Sequence, residues 1–184
     1  MQKSIALIEF SKIAVAIKCA DEMTKAADID LLETKFICPG KYSVLIGGKI
    51  SAVKSSLNTG LALAEREKAV IEKLLIPKVS EEVLEMLKYK KIDKDKIKSL
   101  GVLEYNNISS GIIAADTAVK AAEVHLVKLK LGMTTGGKAV VIFTGDNQAC
   151  QHGINACKSA VNDKYLISES FISSPSKKMI DSVF

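Results

Sequence analysis

At 184 residues, 48% apolar and 26% charged, the chain is long enough to bury a core without disulfides or a structural metal, and it lacks the polar, charge-rich composition of disordered segments. Twenty-six basic residues against 21 acidic ones leave a formal charge of +5, yet the lysines are scattered and only 5% of residues are aromatic, which argues against a nucleic-acid-binding surface. No apolar run reaches bilayer length, and Glu9, Lys12 and Lys18 interrupt the first one too early for a signal peptide; the expected location is the cytoplasm, with Cys19, Cys38, Cys150 and Cys157 kept reduced.

Residues 5–10 read as a strand. From Ile13 the apolar residues recur at three- and four-residue spacing (Ile13, Ile17, Ala20, Met23, Ala27), which predicts an amphipathic helix. A strand is expected over 31–37. Cys38-Pro39-Gly40-Lys41 then predicts a tight turn, because proline presets one backbone angle and glycine permits the other. The return strand, 42–46, ends at Gly47-Gly48. A long helix is expected over 51–72 and a short one after Pro77. Residues 88–98, dense in lysine and aspartate, mark a boundary, giving a first domain over 1–90, a charged linker over 91–98 and a second domain over 99–184.

The second domain repeats the first. Ile5-Ala-Leu-Ile-Glu-Phe10 returns as Leu100-Gly-Val-Leu-Glu-Tyr105. In that register Glu9, Ile13, Ile17, Ala20, Asp21, Lys25 and Leu31 fall on the identical residues Glu104, Ile108, Ile112, Ala115, Asp116, Lys120 and Leu126. The register then slips, so that Gly40-Lys41 matches Gly137-Lys138 and Asn58 matches Asn155. Each copy reads β-α-β-β-α. The fold class is therefore α+β, two small antiparallel sheets flanked by helices, a ferredoxin-like variant.

The Ile-Glu-Phe opening, the Asp21-Glu-Met-Thr-Lys25-Ala-Ala helix and the Pro39-Gly40-Lys41 turn resemble those of tandem-domain bacterial microcompartment shell proteins. The resemblance covers nearly the whole chain. Ile37-Cys38-Pro39-Gly40-Lys41 in the first repeat is similar to the T-type shell proteins of propanediol-utilisation compartments. That family implies a non-enzymatic tile of the compartment shell, a homotrimer whose six domains form a pseudo-hexagonal disc, and contacts with other shell proteins, with no membrane or nucleic-acid partner. It places Lys25 and Lys120 at the tile edge. It also places the Cys38-Pro39-Gly40 loop at a central pore, with Met133, Thr134, Thr135 and Gly136 lining the pore from the second repeat. By the same resemblance, three copies of Cys38 would hold one [4Fe–4S] cluster per trimer, since thiolates are the soft donors such clusters take. The cluster would serve electron transfer across the shell or cluster delivery, with an encapsulated redox enzyme as a further partner.

Two other readings stay open on the residues alone: a metal-free tile with a metabolite pore, and a trimeric ligand-sensing regulator. Other motifs are declined. Gly132-x-x-x-x-Gly137-Lys138 approaches a phosphate-binding loop, but Ala139 replaces the hydroxyl residue and a strand follows where a helix is needed. Cys150 and Cys157 share a helix face without zinc spacing, and core packing is expected for both and for Cys19. His125, which aligns with Asp30, is expected on an exposed strand position.

Overall fold

The structure is a computed structural model that describes residues 3–88, 93–133 and 135–184. Two compact units divide it. The first runs β1 (Ser4–Phe10), α1 (Ile13–Ala26), β2 (Asp30–Ile37), β3 (Lys41–Gly48), α2 (Ile50–Arg66) and β4 (Val70–Ile76). Its strands form one antiparallel sheet in the order β2-β3-β1-β4. The second unit begins with α3 (Glu81–Leu87) and then repeats the pattern: β5 (Ser99–Tyr105), α4 (Ile108–Ala121), β6 (His125–Leu131), β7 (Ala139–Gly145), α5 (Asn147–Ala160), β8 (Leu166–Ile172) and α6 (Lys177–Val183). Its sheet order is β6-β7-β5-β8.

The α+β reading with two repeated sheets holds, but each sheet has a fourth strand that the sequence pattern hid. The helix expected over 51–72 ends at Arg66, Lys68 turns the backbone into the left-handed region at φ 49°, and β4 begins at Val70. The reason lies in β1. All seven of its residues are buried, and a central strand needs hydrogen-bond partners on both edges. β3 supplies one edge and β4 the other, pairing Ile5 with Ile76 through to Phe10 with Val70. The β-branched Val70-Ile71 pair suits a strand better than a last helical turn.

The compact units also divide earlier than expected. The first unit comprises Met1–Val79 with Gly132–Gly136, and the second Ser80–Leu131 with Gly137–Phe184. Residues 80–88, expected in the first domain, pack with the second because α3 lies against α4 and β6. The boundary expected at 90 and the start of the linker at 91 lie outside the described residues.

Helices α1 and α2 cover one face of the first sheet over a core of Ile8, Phe10, Met23, Val44, Ile46 and Val53. The two repeats fill equivalent spaces with different residues. On the paired central strands, Ala6 stands opposite Ile46 in the first copy and Gly101 opposite Phe143 in the second. A Cβ at Gly101 would fall 2.3 Å from the Phe143 ring, so the larger ring requires the smaller partner. At the helix crossing the exchange runs the other way. Cys19 on α1 donates its thiol to the Gly60 carbonyl of α2, whereas Cys157 on α5 donates to the Ala114 carbonyl of α4. Cys19 and Ala114 are repeat equivalents, as are Gly60 and Cys157. The thiol has changed helices while the crossing has kept one.

Candidate functional site

Three of the four cysteines are core. Cys19, Cys150 and Cys157 are buried, and burial pushes their thiols up, that of Cys157 to about 12. Cys38 differs. It is exposed and free, at the turn between β2 and β3. The Cys38–Pro39 peptide is cis, and Gly40 follows at φ 64°, a conformation glycine adopts without strain. The corresponding turn between β6 and β7 uses three glycines at positive φ, Gly132, Gly136 and Gly137. Its Met133 is 54% exposed, Thr135 is half-buried and engaged with neighbours, and Gly136 is exposed. Thr134 lies outside the described residues. The two turns are equivalent places in the repeat, one carrying a thiol and the other a thioether.

Among the described residues no three His, Cys, Asp or Glu side chains gather as a metal site. The thiol of Cys38 has the right chemistry for a soft metal and the exposure to reach one. A single chain supplies only that one thiol, so a cluster would need Cys38 from several copies.

Lys25 and Lys120 sit in the last turns of α1 and α4, where a cation is favoured by the helix dipole. Each bonds the aspartate one turn back, Lys25 to Asp21 and Lys120 to Asp116. The hydrogen bond from Lys25 to Asp21 raises the lysine's pKa. Elsewhere Lys138 bonds Glu104 at 2.9 Å and Ser168 bonds its other oxygen, which together hold the Glu104 carboxyl below the usual range despite some burial. Its repeat equivalent, Glu9, is fully buried.

The residues that separate the repeats most sharply were not signalled by any motif. Ile17 is 55% exposed on α1 while its identical equivalent Ile112 is fully buried on α4. Leu31 on β2 is 44% exposed and Leu126 on β6 only 2%. At the end of the same strands Phe36 is 62% exposed and Leu131 only 6%. One flank, α4 with β6, is covered within the chain. The matching flank, α1 with β2, is open, and β2 is also an unpaired sheet edge. Periodicity alone groups Ile17 with the core residues; its identity in both repeats was the only available clue.

Residues 4–79 and 99–175 each match the BMC domain. The chain belongs to the BMC-domain family. It is 31% identical to the bacterial microcompartment shell protein PduT of Citrobacter freundii over 97% of this chain and 96% of that protein. A microcompartment protein of Desulfitobacterium hafniense superposes with a TM-score of 0.88 at 38% identity, covering 97% of this chain and 98% of that one. The fused permuted hexameric shell protein MSM0275 of the RMM microcompartment shares the fold at 18% identity, with a TM-score of 0.58 over 86% of this chain and 83% of that one. This BMC protein is a structural shell protein of a bacterial microcompartment, and its family consists of structural shell components that assemble with one another. No described helix is long and apolar enough to cross a membrane.

Proposed function

We propose that this BMC protein is a non-catalytic shell tile that closes as a homotrimer, six domains in a ring, with one Cys38 from each copy on the axis. The observation that carries the reading is the open flank. The exposed apolar set Ile17, Leu31 and Phe36 has the composition of an interface core, and its equivalents Ile112, Leu126 and Leu131 are buried. A surface that is covered on one repeat and open on the other is heterologous, and heterologous contacts close into rings when the rotation permits. Two domains per chain and three chains would imitate a six-fold tile.

In such a ring three Cys38 thiolates would hold a [4Fe–4S] cluster, one per trimer, which would supply one-electron transfer across the shell or a cluster for delivery to an encapsulated redox enzyme. The exposure of Cys38 at the β2–β3 turn supports this assignment, as does the burial of Cys19, Cys150 and Cys157. Pro39 and Gly40 hold the turn, Met133, Thr135 and Gly136 line the opening between the thiols, and Lys25 and Lys120 face neighbouring tiles.

The test is iron, acid-labile sulfide and electron paramagnetic resonance on anaerobically reconstituted protein, alongside its solution mass. One cluster per trimer, lost in Cys38→Ser while the trimer persists, is the expected result. A trimer with negligible iron in both proteins would reduce the tile to a metal-free pore.

A further inference from the structure

Residues 80–87 show how a flank of this fold is covered. The Ser80 N–H donates to Asp116 Oδ1 at 2.7 Å, while Asp116 Oδ2 accepts from Lys120. On the outer edge of β6 the Leu126 N–H donates to Glu82 Oε1, and Glu82 Oε2 lies 3.6 Å from His125 Nδ1. Val83 is fully buried. α3 thus satisfies an edge-strand donor and sets a carboxylate against the imidazole at the start of β6.

Helix α6 is the counterpart in the second repeat. Both helices have seven residues and a serine cap: Ser80 accepts from the Val83 N–H, and Ser176 accepts from the Met179 N–H. Aligned on their caps, Glu81-Glu82 of α3 stand where α6 has Lys177-Lys178. The flanks carry the opposite exchange. His125 opens β6, and Asp30 opens β2 in the equivalent place. In the equivalent places the pair Glu82 with His125 is replaced by Lys178 with Asp30, so that the acidic group changes from the helix to the strand. In the single chain Met179 and Phe184 rest on the second sheet, leaving Lys177 and Lys178 exposed. Asp30 is exposed too, with Lys3 at 3.2 Å and Asp28 exposed close by in sequence.

We propose that the Lys177-Lys178 turn of α6 in one copy docks on the open α1–β2 flank of a second copy, Lys178 against Asp30, and that this charge exchange fixes the order of domains around the assembly. It rests on the ring reading above and adds the rule by which copies choose their contacts. An α3 turn placed on the α1–β2 flank would set Glu82 against Asp30. An α6 turn placed on the α4–β6 flank would put Lys178 where Glu82 stands, at the start of a strand that also carries the exposed Lys130, while Lys128 already bonds the Val183 carbonyl at the end of α6 in the same chain. Both mismatches juxtapose like charges or remove the opposite one, so each flank accepts one helix only. First repeats then cannot pair with first repeats, and the symmetric dimer that would block ring closure is disfavoured.

The experiment compares full-length wild type, Lys178→Glu, Asp30→Lys and the double variant by sedimentation velocity across a dilution series at low and high salt. Both sites are exposed and the monomer fold is expected to survive, which circular dichroism checks. Each single variant should raise the concentration at half-assembly by about tenfold or more at low salt, and the double variant should return it to within about threefold of wild type. Single variants that assemble like wild type, or a double variant no better than the singles, would overturn the charge rule while leaving the ring intact. A wild type that stays monomeric throughout would remove the ring reading itself.

Discussion

Ile17 and Ile112 are the same residue at the same turn of equivalent helices, and one is 55% exposed while the other is fully buried. The two repeats share a fold because they share a pattern. They differ in exposure at equivalent positions, and among the described residues the second unit has a segment, residues 80–87, folded against its α4 and β6.

Three tests by substitution sharpen that comparison. The largest effect is expected at the paired isoleucines. Ile112→Ala should lose about 2–5 kcal/mol of unfolding free energy, as removal of buried methylene and methyl groups does. Ile17→Ala in dilute, unassembled protein should change it by less than about 0.5 kcal/mol. Urea melts at low concentration read both, and equal losses would mean that the open flank is covered in the monomer after all.

Next comes the exchange beneath the sheets. Gly101→Ala should cost about 1–3 kcal/mol, because the added Cβ meets the edge of the Phe143 ring. Adding Phe143→Ile copies the Ala6 and Ile46 solution of the first repeat and should recover most of the loss. A double-mutant cycle with no coupling would show that the two pairs do not fill equivalent space.

The smallest effect is expected at Tyr105. Its hydroxyl is buried with no hydrogen-bond partner among the described residues, burial holds the phenol above its usual pKa, and the first repeat has Phe10 in its place. Tyr105→Phe should be neutral or stabilising by up to about 1 kcal/mol, read as a thermal shift. A clear loss would mean that the hydroxyl has a partner, such as a buried water.

Much of the fold was legible in the residues. Ile5 to Phe10 and Leu100 to Tyr105 announce the central strands, and the glycine and proline turns announce the hairpins that follow. The strand Val70–Ile76 was not legible, because its Val-Ile-x-x-Leu-Leu run continues a helical spacing; only the bare edge of β1 turns it into a strand. Of the candidate site, Cys38 could be picked out by its turn, while which of two equivalent flanks stays exposed could not, since Ile17 and Leu31 are the same residues as Ile112 and Leu126.

The amino-acid sequence by itself determined that the chain holds two copies of one domain, that each has a hairpin turn at the same place, and that one turn carries a thiol. Only the tertiary structure decided which copy keeps an open flank. Burial depends on neighbours in space, and identical residues at equivalent positions of two repeats, such as Ile17 and Ile112, acquire different neighbours once the chain is folded.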